Sequence, residues 1–158
     1  MSSSVSAQRK QVGLRTNEQK WTPILMDPGW LALPNVVVEN QRALGLDPVD
    51  MNILLHLIRH WWQAENLPHP SKRTIAECMS IDQSTVRRHL ATMEAAGLIK
   101  RISRSDKTLG QKSNAYDFTG LIEKCQPYAK EVMKQREAKR EQASKSRIRG
   151  RPRIVSAD

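Results

Sequence analysis

No stretch of this 158-residue chain approaches the roughly 20 consecutive apolar residues that a membrane-spanning helix needs; the most apolar segment, Ile53 to Ile58, is interrupted by His56. The N-terminus, Met1 to Gln8, has no long apolar stretch of the secretory-signal kind. Cysteine is limited to Cys78 and Cys125, far apart and with no second cysteine near either, which excludes a disulfide framework and a CxxC zinc or redox site. Both are expected to be small buried side chains in a reducing cytosol. Acidic residues are scarce, 16 against 26 Lys and Arg, and the net charge of +10 points to a polyanionic partner. Hydrophobic residues make up 39%, below the roughly 45–50% usual in globular chains, so one core plus unpacked polar segments is expected. A Gly-rich phosphate loop, a Ser/His/Asp set and paired carboxylates in a catalytic context are all missing. The expectation is therefore a protein that is not an enzyme and uses no cofactor or metal.

The positive charge lies in two segments. Lys134 to Arg153 holds nine basic residues against Glu137 and Glu141, and Ser71 to Arg104 holds seven against Glu77, Asp82 and Glu94. From Lys134 onward nothing larger than Ala is apolar until Ile148, so burial cannot offset the entropy of ordering, and a mobile tail is predicted. Residues 1–20 read as a similar disordered arm. The predicted organisation is this arm, a domain over 21–122, a helix over 123–145 and a basic tail over 146–158.

Within the domain, Trp21 to Pro34 contains three prolines and should form an irregular lead-in whose tryptophans pack on the core. Asn35 to Leu44 is predicted as a short helix ended at Gly45. Asp47-Pro48 is an N-cap followed by proline at the first helical position, and Met51, Leu54, Leu55, Ile58 and Trp62 follow as one apolar face of a helix running to about Ala64. Leu67 to Pro70 ends it and Ser71 caps the next helix, which holds Ile75, Ala76 and Met79 on one side. After Ser80-Ile81-Asp82, with Asp82 as cap, Gln83 to Ala96 forms a third helix with Val86, Leu90 and Met93 inward and Gly97 as its stop. Strands are predicted at Leu98 to Arg104 and Ala115 to Phe118, joined by a polar loop over Ser105 to Asn114. Between Thr119 and Met133, Leu121, Ile122, Cys125, Tyr128, Ala129 and Val132 recur at helical spacing, with Pro127 expected to bend or restart the helix. This segment either covers the domain's own core or pairs two copies; the homodimer is preferred.

Ala76, three residues, Ser80, Ile81, then Val86 and Leu90 has the spacing of a helix-turn-helix, and Met93-Glu94-Ala95-Ala96-Gly97-Leu98-Ile99-Lys100-Arg101 resembles the join between recognition helix and wing in winged helix-turn-helix proteins. The resemblance covers Leu46 to Ile122. It implies a mainly α fold with a small β-wing and binding to double-stranded DNA, as in small bacterial transcription regulators and the N-terminal domains of phage and plasmid replication initiators. The flanks Leu33-Pro34-Asn35 and Tyr116 to Ile122 are more similar to the initiators. Ser80 departs from the glycine of many members, and a positive φ there costs a residue with a Cβ.

A helix fits the major groove, where each base pair has its own donor and acceptor pattern. On the third helix Ser84, Arg88 and Ala91 point opposite Val86, with Thr85 and Arg87 on the flanks and Gln83 at the start. Arg87 or Arg88 is the predicted base reader, with Gln83, Ser84 and Thr85 near bases or phosphates. Lys72 and Arg73 are placed for backbone phosphates, and Lys107 and Lys112 for the minor groove or phosphates beside the wing. In the tail, Arg149-Gly150-Arg151-Pro152-Arg153 resembles an AT-hook core, in which arginines enter a narrow A·T minor groove; the alternative is a polycation that adds non-specific affinity. His56 and His60, four apart, lack a third ligand and read as helix-surface histidines, and His89 as a half-buried packing residue. Trp62 is expected in the core and Trp61 partly exposed. The expected role is a promoter-binding transcription regulator. The alternatives are a replication or maintenance factor acting on origin DNA and a nucleoid-associated or RNA-binding protein. The expected location is the bacterial cytoplasm and its nucleoid.

Overall fold

A computed structural model describes residues 16–106, 108 and 110–149, with 146–149 as backbone only. The chain divides into two units, Met1–Leu33 and Pro34–Asp158. In the first, residues 16–21 are helical, and 16–20 of these fall in the stretch expected to be a disordered arm. A single turn, α1 (Pro23–Met26), follows Thr22, whose φ is +68°. Trp21 and Trp30 of this unit are exposed.

The second unit contains α2 (Asn35–Glu39), α3 (Pro48–Ile58), α4 (Lys72–Met79), α5 (Gln83–Ala95), β1 (Lys100–Asp106), β2 (Gly110–Asp117) and α6 (Thr119–Arg149). Local signals set most of these boundaries. α2 is shorter than predicted and passes into turns that end at Gly45, with φ +73°. Asp47 caps α3 by accepting from the Asp50 N–H at 2.7 Å, and Asp50 accepts from the Asp47 N–H at 3.0 Å, a reciprocal pair that satisfies two otherwise unbonded amides. Ser71 accepts from the Thr74 N–H at 3.0 Å to start α4. Asp82 precedes α5, but its side chain makes no cap hydrogen bond.

The face that α3 buries is one position away from the predicted one. Ile53, Leu54 and Leu57 are buried with Asp50, while Met51, Leu55 and Ile58 are half-buried. A buried carboxylate shares this face: Asp50, 3% exposed, accepts a hydrogen bond from His89 of α5 at 2.8 Å. A buried polar group paired in this way counts with the inward side, which apolar periodicity cannot register. α3 also ends at Ile58 rather than near Ala64. The chain leaves it through His60 N–H to Leu57 O and Trp61 N–H to Ile58 O, which turns Trp61 inward, its ring 5.1 Å from that of Phe118. Trp62 is 66% exposed. Trp62 is thus outside the core in which it was expected, while Trp61 is half-buried, in keeping with the partial exposure expected of it. His56 is on α3 and His60 lies past its end, so they are not a pair on one helix surface.

α5 packs on α3 and α4, and Val86, Leu90 and Met93 are buried as predicted. The turn between α4 and α5 brings Ile81 N–H to Ala76 O at 3.1 Å and places Ser80 in the left-handed region, φ +54°. The strain expected at this serine is present. Cys125 is buried, and burial raises its thiol pKa; Cys78 on α4 is exposed, contrary to expectation, because it lies about 110° around the helix from the centre of the side that Ile75, Ala76 and Met79 turn inward.

β1 and β2 pair antiparallel from Lys100↔Asp117 to Asp106↔Gly110. The register changes between Ile102 and Arg104, where Ser113 and Asn114 of β2 oppose Ser103 alone, the geometry of a bulge. Both strands reach farther toward the tip than predicted, and Lys112 is in β2 rather than in a loop. Glu94 of α5 fixes the ribbon's base. Its carboxylate accepts from the Arg101 N–H at 2.8 Å and from Nε at 2.6 Å, and pairs with Nη2. The Arg101 side chain and then its backbone N–H hold the Glu94 pKa below the ordinary value. Asp117 is likewise lowered by the Thr119 hydroxyl and N–H. A carboxylate with a depressed folded-state pKa contributes stability above its unfolded pKa, near pH 4, and that stability is lost as pH falls through the folded value. Glu94→Gln should therefore shrink the fall in Tm between about pH 5 and pH 3 relative to the wild type, with the part due to Asp117 retained; an unchanged fall would remove Glu94 from the acid response.

α6 runs through Pro127 without the restart expected there and continues through the segment expected to be a mobile tail. Leu121 and Cys125 are buried and Tyr128, Ala129 and Val132 half-buried, whereas residues 134–145 are all exposed. That half has no surface to pack on but is rich in Lys, Gln, Arg, Glu and Ala, all good helix formers. Among the described residues no helix is long and apolar enough to cross a membrane.

Candidate nucleic-acid interface

The outward face of α5 is polar and largely free of internal partners. Gln83, Ser84, Arg87 and Arg88 are exposed and Thr85 is half-buried. Among the described residues, neither Arg87 nor Arg88 makes a side-chain hydrogen bond or ion pair; only the Arg88 backbone carbonyl is used, accepting from the Thr92 hydroxyl at 3.1 Å. With no carboxylate from Asp82 on the first turn, the N–H groups of Gln83 and Ser84 have no acceptor among the described residues. Such amides at a helix start can hydrogen-bond phosphate oxygens.

The flanking cations differ in availability. Arg73 bonds Glu77 one turn along α4 at 2.8 Å, an exposed pair worth little energetically but one that competes for the guanidinium. This side-chain hydrogen bond, followed by the Glu77 charge, raises the Arg73 pKa. Lys72 is half-buried at the first position of α4. On the ribbon, Lys112 pairs with Asp106 at 2.7 Å. Directly across from Lys112 stands Arg104, a cationic strand residue that the sequence reading did not select. Like charges opposite each other on a ribbon are unfavourable in isolation, and an anion laid against them relieves the repulsion. Arg104 was missed because the pairing register, unlike charge content, cannot be counted along the chain.

Lys107, Gly150, Arg151 and Arg153 lie outside the described residues, and Arg149 is known only as the last helical position of α6. The structure thus brings Gln83, Ser84, Thr85, Arg87 and Arg88 together on one helix and puts Lys72 and Arg73 on the adjoining one. It sets Lys112 on the ribbon. Behind this surface, the Asp50–His89 hydrogen bond braces the inner side of α5 against the start of α3; Asp47 Oδ2 lies 3.6 Å from the same ring nitrogen. The three side chains are close enough to resemble a metal site. Their bonds instead tie two helices together: Asp50 holds one oxygen on His89 and the other on the Asp47 N–H. His89 is half-buried, as expected, but its partner was not legible. At the far end of α3, burial and then the Arg59 charge lower the pKa values of His56 and His60.

Residues 44–99 match the family model of a helix-turn-helix domain. The N-terminal domain of the DnaD protein from Geobacillus kaustophilus is similar in structure, with a TM-score of 0.50, 19% identity, and coverage of 70% of this chain and 88% of that one. A MarR-family transcriptional regulator from Silicibacter pomeroyi aligns with a TM-score of 0.36 at 19% identity, over 77% of this chain and 84% of the other. No curated protein matches the chain. The matched span includes α3, α4 and α5, and the β1–β2 ribbon follows it directly, so the second unit is a winged helix-turn-helix fold.

Proposed function

We propose that the chain is a sequence-specific double-stranded DNA-binding protein acting as a transcription regulator, with α5 in the major groove. The observation that carries this reading is the outward face of α5, where Arg87 and Arg88 are exposed and unpaired beside Gln83, Ser84 and Thr85. Arginine forms two hydrogen bonds with guanine, and a helix brought to the groove by its N-terminal half presents these positions to base edges. Lys72, Arg73, Lys107, Lys112 and Arg104 add phosphate or minor-groove contacts around it. The tail motif Arg149, Gly150, Arg151 and Arg153 extends the interface into an A·T minor groove in this reading.

Two copies would bind two half-sites about one helical turn apart. Ile122 and Met133, 46% and 61% exposed on α6, support pairing through the first half of that helix. A role on origin DNA is the second reading, favoured by the initiator-like flank from Tyr116 to Ile122. Selection of bound duplexes from a random pool tests both. Recovery of a defined site that also stands in a promoter supports the regulator, an array of repeats supports replication or maintenance, and a pool with no enriched sequence removes sequence-specific recognition.

A further inference from the structure

The stripe of α6 that packs on the domain does not end where the packing ends. At about 100° per residue, Leu121, Ile122, Cys125, Tyr128, Ala129 and Val132 fall within about 60° of Cys125. The next residues in that sector are Arg136, Lys139, Arg140 and Ala143. Glu123, Glu131, Glu137 and Glu141 all lie at least about 120° away. The same face is therefore apolar over the first half of the helix and cationic over the second.

Arg136, Lys139 and Arg140 are exposed and make no side-chain hydrogen bond or ion pair among the described residues. Their spacings of three and four residues put like charges side by side, an arrangement unfavourable in an isolated helix. A second copy of α6 is a poor partner here. Continuing a helix-pairing seam from Ala129 and Met133 at alternating steps of three and four would bury Arg136 and Arg140, and charged seam positions destabilise such pairs.

We propose that this face, Arg136, Lys139 and Arg140, is a further DNA-binding surface that lies against duplex phosphates. It rests on the reading of α5 as the major-groove element and extends that reading to a site outside the helix-turn-helix. A duplex presents one charge per about 1.7 Å of axis, so a rigid row of cations meets phosphates without having to be ordered on binding. α6 continues for about 24 Å beyond Met133, long enough to reach DNA flanking the recognised site.

The test compares full-length variants on a duplex carrying the selected site. Arg136→Gln, Lys139→Gln and Arg140→Gln together remove three charges from the face; Lys130→Gln, Lys134→Gln and Lys145→Gln remove three from the other side of the same helix. The first set should reduce the slope of log affinity against log salt by about two to three, at roughly 0.9 per phosphate lost, and the second set by less than about one. Equal losses would make the segment a plain polycation and overturn the proposal, as would a first set that changes oligomeric state and leaves the slope intact. Ala138→Pro keeps every charge and, because the helix already runs through Pro127, is paired with Gln142→Pro and used once circular dichroism shows that helix has been lost. This double variant should reproduce the loss of slope with the domain's Tm unchanged, and wild-type binding by it would also overturn the proposal. If the unmodified chain binds no duplex, the reading of α5 fails as well; if Arg87 and Arg88 variants lose selectivity while the α6 variants bind normally, only the α6 surface fails.

Discussion

Gly120→Ala should destabilise the domain by about 3 kcal/mol and lower its Tm by roughly 10 °C, although helix propensity alone predicts the opposite sign. Gly120 is in the first turn of α6, where alanine is ordinarily the better residue by about 1 kcal/mol. A Cβ at this position, however, would overlap the backbone carbonyl oxygen of Gly97. That oxygen belongs to the turn following α5, and the Leu121 N–H bonds Leu98 O at 2.9 Å beside it, so neither backbone can retreat without breaking the junction of α5, β1 and α6. Gly97 itself provides the comparison. Its φ of +67° disfavours a side chain, but its nearest neighbour would be the flexible end of Lys124 at 3.7 Å. Gly97→Ala should therefore cost only about 1–2 kcal/mol, the backbone part alone. Thermal or denaturant unfolding decides the matter, and a Gly120→Ala protein as stable as the wild type would mean that the close approach is absent in solution.

Arg87→Ala and Arg88→Ala are expected to lower the preference for the selected duplex over random DNA by about 10- to 100-fold for whichever arginine reads a guanine, from a discrimination of about 1–3 kcal/mol. An arginine that contacts only phosphate would instead weaken all duplexes alike and reduce the salt slope by about 1. Neither side chain has a partner within the described residues, so both variants should keep their stability to within about 0.5 kcal/mol. Loss of binding is then separable from loss of fold. Competition binding against random DNA at fixed salt gives the answer. Unchanged selectivity in both variants would place base recognition elsewhere than on α5. Asp50→Ala is a useful contrast, since it removes the hydrogen bond to His89 that braces the inner side of the same helix and should act first on stability.

Local chemistry made much of this architecture legible in the sequence. Asp47 and Ser71 are N-caps because a short oxygen-bearing side chain reaches the amides of the following turn, and Val86, Leu90 and Met93 point inward because a helix repeats every 3.6 residues. Placing the basic residues of α5 outward then follows from the same period. The cost at Ser80 was legible for a comparable reason, since a left-handed turn acts on the residue's own Cβ.

What the tertiary structure decided involves partners distant along the chain. Asp50 can lie on the inward side of α3 because His89, 39 residues away, bonds its carboxylate, and Trp61 rather than Trp62 points inward, where it meets Phe118. The strand register set Lys112 against Asp106 and Arg104 opposite Lys112, so a residue expected to face DNA has an internal ion pair. α6 extends past its packed half because Lys, Gln, Arg, Glu and Ala favour helix even where no surface is buried. The sequence by itself determined the helix-turn-helix, the caps at Asp47 and Ser71 and the sign of its outward charge, since these depend on residues within one or two turns of each other. Only the fold decided which cations are already paired, which face α3 buries and why Gly120 can carry no side chain, since each depends on a contact between segments that sequence distance does not reveal.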